Sequence, residues 1–275
     1  MKEITLQEML STIIGELREN GRWGTAHIYQ STLNVFSAFN NYRDLHLLKG
    51  FEVYLRSRGC SWNTVSTYMK VIRSAYNRAV DLRCVRYTPR LFEHVYTGTK
   101  ADKKRALEAS DIGTLVRGTE MDLSKRIPSS SLQKAKMLFV FMFMMRGLPF
   151  VDLAFLHKKD LQGNVLSYRR RKTGRTLRVL LSPEALQLVH MVSNKDENSP
   201  YLFPILRSKD GTEAAYKEYQ SALRRFNYQL SALKTHLNMS SHLSSYSARH
   251  TWATMAYYCE IHPGIISEAM GHSSI

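Results

Sequence analysis

Cysteine is scarce in this chain of 275 residues: Cys60, Cys84 and Cys259 are its three, odd in number and far apart. That argues against a disulfide framework and for a reducing compartment. No CxxC pair is present to hold zinc. Neither an HExxH helix nor a GxxxxGK(S/T) loop appears, so metal-dependent hydrolysis and nucleotide hydrolysis have no sequence support. Long apolar runs are missing too. The longest, MLFVFMFMM from Met137 to Met145, is far short of the roughly 20 residues of a membrane span. The opening MKEITLQEML lacks an apolar signal core. A soluble, cytoplasmic protein without metal or cofactor is expected.

Acidic residues are also in short supply. Asp plus Glu total 23 against 39 Lys plus Arg, a formal net charge of +16. Such a balance on a non-repetitive chain that is 44% hydrophobic favours a polyanionic partner, nucleic acid first. Charge alone also fits a ribosomal-type basic protein. An RNA binder finds no aromatic ribonucleoprotein motif in its favour.

Periodicity predicts an α-rich chain of two domains. Leu6, Met9, Leu10, Ile13, Ile14 and Leu17 recur at helical steps, as do Ile28, Thr32, Val35 and Phe39. LHLLKGFEVYLRSRG closes on Gly59, a left-handed cap. A fourth helix carries Val65, Tyr68, Met69, Ile72, Tyr76 and Ala79 on one face and Lys70, Arg73, Asn77 and Arg78 on the other. These four make a bundle over residues 1–88. Lys70, Arg73 and Asn77 are candidate DNA contacts.

Residues 89–105 read as an interdomain linker, with Lys103 and Lys104 suited to a phosphate backbone. From 106 to 275 the reading is mixed α+β. Ser110 is expected to cap a helix, and MLFVFMFMM, apolar on all sides, to form a central buried one. NVLSYRRRKTGRTLRVLL reads as an antiparallel hairpin in which Leu166, Tyr168 and Arg170 share a face, with a turn at Thr173-Gly174. Ser182-Pro183 starts a further helix.

Cationic groups stand far apart in this second domain: Arg146 after the buried helix, Lys172 in the hairpin, Arg249 with His250, and His272. Their order and context carry a resemblance. SARHTWATMAYYCEIHPGIISEAMGHSSI is similar to the Arg-His-Thr-Phe-Ala and Leu-Gly-His-Ser segments of the tyrosine recombinases, or phage integrases. RGLPFVDLAFL resembles the form found in integrases of Bacteroides-type bacteria and their mobile elements. The likeness runs through the whole chain. It implies a SAM-like core-binding bundle, a catalytic domain with a small antiparallel sheet, double-stranded DNA as partner, and a homotetramer on paired sites.

The resemblance also implies a chemistry without metal or ATP. A tyrosine hydroxyl attacks a DNA phosphodiester, giving a 3′-phosphotyrosyl linkage and a free 5′-hydroxyl, and a partner strand reverses the step. By resemblance Arg249 and Arg146 clamp the phosphorane-like oxygens, since Arg is always charged and bidentate. Lys172 protonates the leaving 5′-oxygen. His272, and with it His250, stabilises the oxygens or accepts a proton. Arg170 and Arg171 add to the DNA footprint.

Three departures from the family pattern stand out. Pro149 occupies the place of the first Arg, with Asp152 as the following acid and Arg146 three residues upstream. A β-turn from Arg146 to Pro149 would bring their Cα atoms within about 7 Å. Tyr246 stands where a His is usual, one helical turn before Arg249. It can donate a hydrogen bond to phosphate but is a poor base. Finally, nothing after His272 is a tyrosine. The expectation is a truncation, natural or engineered, leaving a monomer that binds DNA without cleaving it. The alternative is a recombinase-derived regulator or accessory DNA binder.

Overall fold

A computed structural model describes residues 4–39, 48–100, 105–117 and 130–272. The chain divides into two compact units, Met1–Lys103 and Lys104–Ile275.

The first unit holds α1 (Leu6–Glu19), α2 (Trp23–Phe39), α3 (Leu48–Ser57) and α4 (Trp62–Asp81). Thr5 and Glu8 start α1 as a capping box, and Ser61 caps α4, which satisfies N–H groups that a helix start leaves unpaired. The predicted stripes of α1 and α4 are largely the buried ones, whereas on α2 Thr32 is buried and Ile28 is exposed. Met9, Leu10, Ile13 and Leu17 of α1 pack with Ala26 of α2 and Val71, Ala75 and Ala79 of α4. A second cluster joins Leu48, Phe51 and Leu55 of α3 to Val65, Met69 and Ile72 of α4. Gly59 is left-handed, with φ +77°.

Packing carries this unit further along the chain than residue 88. Val95 lies in the second cluster, with Leu91 and Phe92 against it. The Thr88 N–H donates to the Tyr76 hydroxyl at 2.6 Å, and the Tyr96 N–H to the buried Glu52 carboxylate at 2.6 Å. The expected linker of 89–105 is corrected accordingly: through residue 100 it is tied to the bundle, because its few apolar side chains find a core there. Lys103 and Lys104 lie outside the described residues.

In the second unit, α5 (Ala109–Arg117) precedes α6 (Ser130–Met144), which packs against α8 (Pro183–Val192), α9 (Glu213–His236) and α10 (Ser247–Tyr258). Phe139, Val140, Phe141 and Met142 are all buried, so α6 is the central helix that its all-round apolarity predicted. Ser110 lies inside α5 rather than capping it. The helix entry is tied instead by the Leu107 N–H to Thr251 Oγ1 at 2.9 Å and the Glu108 N–H to Ser241 Oγ at 3.3 Å. The antiparallel sheet runs β1 (Leu161–Gln162), β2 (Val165–Arg169), β3 (Thr176–Leu180) in that order. Leu166, Tyr168, Leu177 and Val179 face the core. Short α7 (Phe150–Ala154) and α11 (Pro263–Ala269) complete the unit. Among the described residues no helix is long and apolar enough to cross a membrane.

Candidate active site

The site begins where α6 ends. Arg146 (φ 57°) and Gly147 (φ 70°) are both left-handed, and the Leu148 N–H returns to Met142 O at 2.9 Å. The chain therefore reverses before Pro149, which stands as the first flanking residue of α7. Pro149 fits that place because its fixed φ suits a helix entry and it has no N–H to lose. Arg146 is half-buried, and among the described residues it makes no hydrogen bond. Its charge lies near the Tyr168 phenol.

Gly147 touches Arg249 backbone to backbone. A Cβ at Gly147 would fall 2.6 Å from Arg249 Cα, and its φ is one that L side chains resist. Gly147→Ala is expected to lower stability by at least ~1–3 kcal/mol from backbone strain alone. It should also displace Arg249. Urea unfolding with a DNA-binding titration measures both.

Arg249 rises from α10 into the interior, 7% exposed. Its guanidinium donates to Gly147 O at 3.1 Å and to Met270 O at 2.9 Å, and lies 2.9 Å from His272 Nε2. Since Arg only donates, His272 accepts there and is neutral with its proton on Nδ1. Burial, then neighbouring Arg170, pulls the Arg249 pKa down to about 10; it stays charged at neutral pH. Burial also holds His272 below the usual range, helped by Arg249, Arg170 and Lys172.

The hairpin brings the other cations. Lys172 is exposed, makes no hydrogen bond among the described residues, and lies close enough to His272 to disfavour its protonation. Arg170 and Arg171 differ from the expectation of DNA contacts. Arg170 is 5% exposed; its Nε is 2.7 Å from Asp152 Oδ2, with the N–H not aimed squarely at it, and its Nη1 donates to Met270 O at 2.6 Å. Arg171 is engaged by Asp210 through two 2.9 Å bonds and stacks 3.8 Å over Phe155. A buried or doubly held guanidinium is already occupied. Asp152 also accepts from the Arg171 N–H at 2.8 Å; burial pushes its carboxyl pKa upward against that bond and the surrounding cations.

Tyr246, half-exposed, precedes α10 and meets the His250 ring edge-on at 4.6 Å, with the Arg105 guanidinium 5.5 Å over its own ring. Its phenol is near Arg249. His250 is held below its ordinary pKa by burial, then by Arg105 and Arg249. Histidines depressed in the fold favour the neutral form, so the unfolded chain takes up protons first, from about pH 6.5 downward. Stability from this source is complete above that pH and is lost as pH falls through the lower folded values. The melting temperature is expected to drop on acidification from pH 7 to 5.5, and His250→Gln with His272→Gln to flatten that drop. A slope unchanged in the double variant would count against it.

The structure thus brings together Arg249, His272, Lys172 and Arg146, with Tyr246 and His250 alongside. Sequence reasoning missed Tyr168, which is 6% exposed and faces Asp152, Arg170, Arg249 and Arg146; the alternation of β2 was its signal. In the first unit Lys70 and Asn77 are exposed on α4. Arg73 is not a free contact as expected: it lies 5.1 Å over Phe92 and reaches Thr97 Oγ1 at 3.5 Å, because packing the stem on a ring stabilises it.

A helical bundle followed by a helix-rich unit with a three-stranded sheet and a buried Arg beside a His and a hairpin Lys defines a recognisable class. The phage integrase SAM-like domain matches residues 5–95, and the phage integrase family matches residues 119–275. The chain therefore belongs to the phage integrase family, the tyrosine recombinases. Among solved structures it is similar in fold to the Tn1549 transposon integrase in complex with circular intermediate DNA, at 16% identity and TM-score 0.64, covering 99% of this chain and 93% of that one. A lambda integrase dimer bound to a COC′ core site matches at 13% identity and TM-score 0.66, over 98% of this chain and 96% of the other. The XerH site-specific recombinase bound to difH matches at 16% identity and TM-score 0.62, over 98% and 79%. No curated protein matches the sequence significantly.

Proposed function

We propose that this protein is a site-specific DNA recombinase, acting in the cytoplasm, that breaks and rejoins DNA through a 3′-phosphotyrosyl intermediate without metal or ATP. The observation that carries the reading is the convergence of Arg249, His272 and the Lys172 hairpin, from three separate elements, on one cationic cluster. Arg249 and Arg146 meet the nonbridging oxygens. Lys172 passes a proton to the departing 5′-oxygen, and neutral His272, its Nε2 released as Arg249 turns to the phosphate, accepts one from the attacking hydroxyl. The tyrosine oxygen–phosphorus bond forms as the phosphorus–5′-oxygen bond breaks, so the phosphodiester energy is kept in the protein linkage. Tyr246 contributes a hydrogen-bond donor where relatives of this family use His.

The solved relatives carry DNA, including a lambda integrase tetramer on a Holliday junction, which supports duplex DNA and assembly on paired sites.

The test is a nicked suicide duplex offered, in EDTA, to the protein encoded by the whole gene. Covalent trapping supports the recombinase. Loss of trapping on chelation defeats the metal-free chemistry, and tight binding without trapping favours the non-catalytic regulator. Binding itself is expected to be strongly salt-dependent. A footprint of six or more phosphates loses ~10³-fold in affinity between 50 and 200 mM salt, which a fluorescence-anisotropy series measures.

A further inference from the structure

Three consecutive backbone carbonyls at the end of α11 are each taken by a side chain of one hairpin. Arg170 donates to Met270 O at 2.6 Å, Thr173 Oγ1 to Gly271 O at 3.0 Å, and Arg175 Nη1 to His272 O at 2.8 Å. These lie at the helix end, where carbonyls have no partner within the helix. All the donors belong to the hairpin and all the acceptors to the turn, so the contact has one register. Gly271 (φ +70°) lies flush on the hairpin: a Cβ there would come 3.0 Å from Leu177 Cδ1 and 3.1 Å from Arg170 Cγ. Arg175 reaches Glu268 as well, at 3.6 Å.

Lys172 is the unheld residue between two held ones. On one side the Arg171 N–H is fixed to Asp152 at 2.8 Å; on the other Thr173 is fixed to Gly271. The four-residue loop is closed by Arg170 N–H to Arg175 O and Gly174 N–H to Arg170 O, both at 2.8 Å. An ammonium on a flexible stem gains little directional control from its own side chain. Here the backbone beneath it supplies that control.

We propose that Thr173 and Arg175 are positioning residues that clasp the β2–β3 hairpin tip to the Met270–His272 turn, so that the Lys172 ammonium and the His272 imidazole move as one pair. Their service to a reacting phosphate rests on the recombination reading; the clasp rests on geometry alone.

The test uses the 275-residue chain without DNA and follows the His272 imidazole by NMR across pH, its resonance assigned with His272→Gln. The charged groups facing that ring are Arg249 from α10 and Arg170 and Lys172 from the hairpin, with Arg175 and Glu268 beside it. Thr173→Val keeps the shape and removes the donor. It should let the tip leave, hydrate the ring and move the His272 titration upward to the ordinary histidine range. Thr173→Ser should restore the wild-type curve, and Arg175→Gln should shift it in the same direction as Val. Lys172→Met should raise the titration in the wild type and have a smaller effect in the Val background, since coupled sites are not additive. A melting curve confirms that each variant is folded, and Arg175→Gln serves if the Val variant is not. An unchanged His272 curve in both Thr173→Val and Arg175→Gln overturns the clasp. Failure of this chain to bind DNA with these shifts intact sinks the recombination reading and leaves the clasp standing.

Discussion

Arg249→Ala, in the protein encoded by the whole gene, is expected to abolish covalent trapping on a nicked duplex, a loss of at least ~10²–10³ in rate for one preorganised donor and more because this one guanidinium has several tasks. It holds Gly147 O, Met270 O and His272 Nε2. Removing it leaves two buried carbonyls without that donor, each costing ~1–3 kcal/mol when nothing replaces it; Met270 O keeps Arg170. Fold and chemistry are therefore both hit, and the alanine alone does not separate them. Arg249→Lys does. It retains one charge and a donor but not the planar fork that spans two carbonyls and an imidazole at once. Lysine should recover most of the urea midpoint while trapping stays at least tenfold down. A lysine variant that traps at the wild-type rate would show that charge alone is sufficient. For comparison, Lys172→Ala, an exposed residue without structural partners among those described, should slow trapping severely and leave the unfolding midpoint nearly unchanged.

Asp152→Ala is expected to be the most destabilising single change in the second unit. Asp152 and Arg170 have side chains 1% and 5% exposed and 2.7 Å apart. Removing one member of such a pair strands the other charge in the interior, at ~3–5 kcal/mol. Asp152 also fixes the Arg171 N–H, so the hairpin base loosens with it. Most of that cost is the orphaned cation rather than the attraction lost. Asp152→Leu combined with Arg170→Met should therefore regain much of the midpoint, because apolar groups of similar volume need no partner. The double variant still loses the Arg170 bond to Met270 O. It should stay folded yet place Lys172 and His272 poorly, so stability and trapping would part company. Equal urea midpoints for Asp152→Ala and the double variant would contradict this account.

Much of the fold was legible because it depends on neighbours in sequence. The helical stripes of α1 and α4 needed only their own periods, and Ser182-Pro183 needed only the chemistry of a first turn. The Leu166–Tyr168 alternation set the buried face of the hairpin. The Arg249 and His272 segments were legible as a resemblance.

What failed has a common cause. Arg170 follows Tyr168 on the buried face, yet as part of an Arg-Arg-Arg-Lys run it reads as surface charge. Only the fold supplies Asp152 to neutralise it and the Met270 carbonyl to receive it. Arg73 reads as a free cation until Phe92 is laid under it. Leu91, Phe92 and Val95 read as linker because their core partners lie well back along the chain, in α3 and α4. By itself, then, the sequence determined most of the helices, the hairpin and where the cations stand along the chain. The tertiary structure alone decided which of those cations remain free, because a charge is released or consumed by what the distant chain brings within about 3 Å of it.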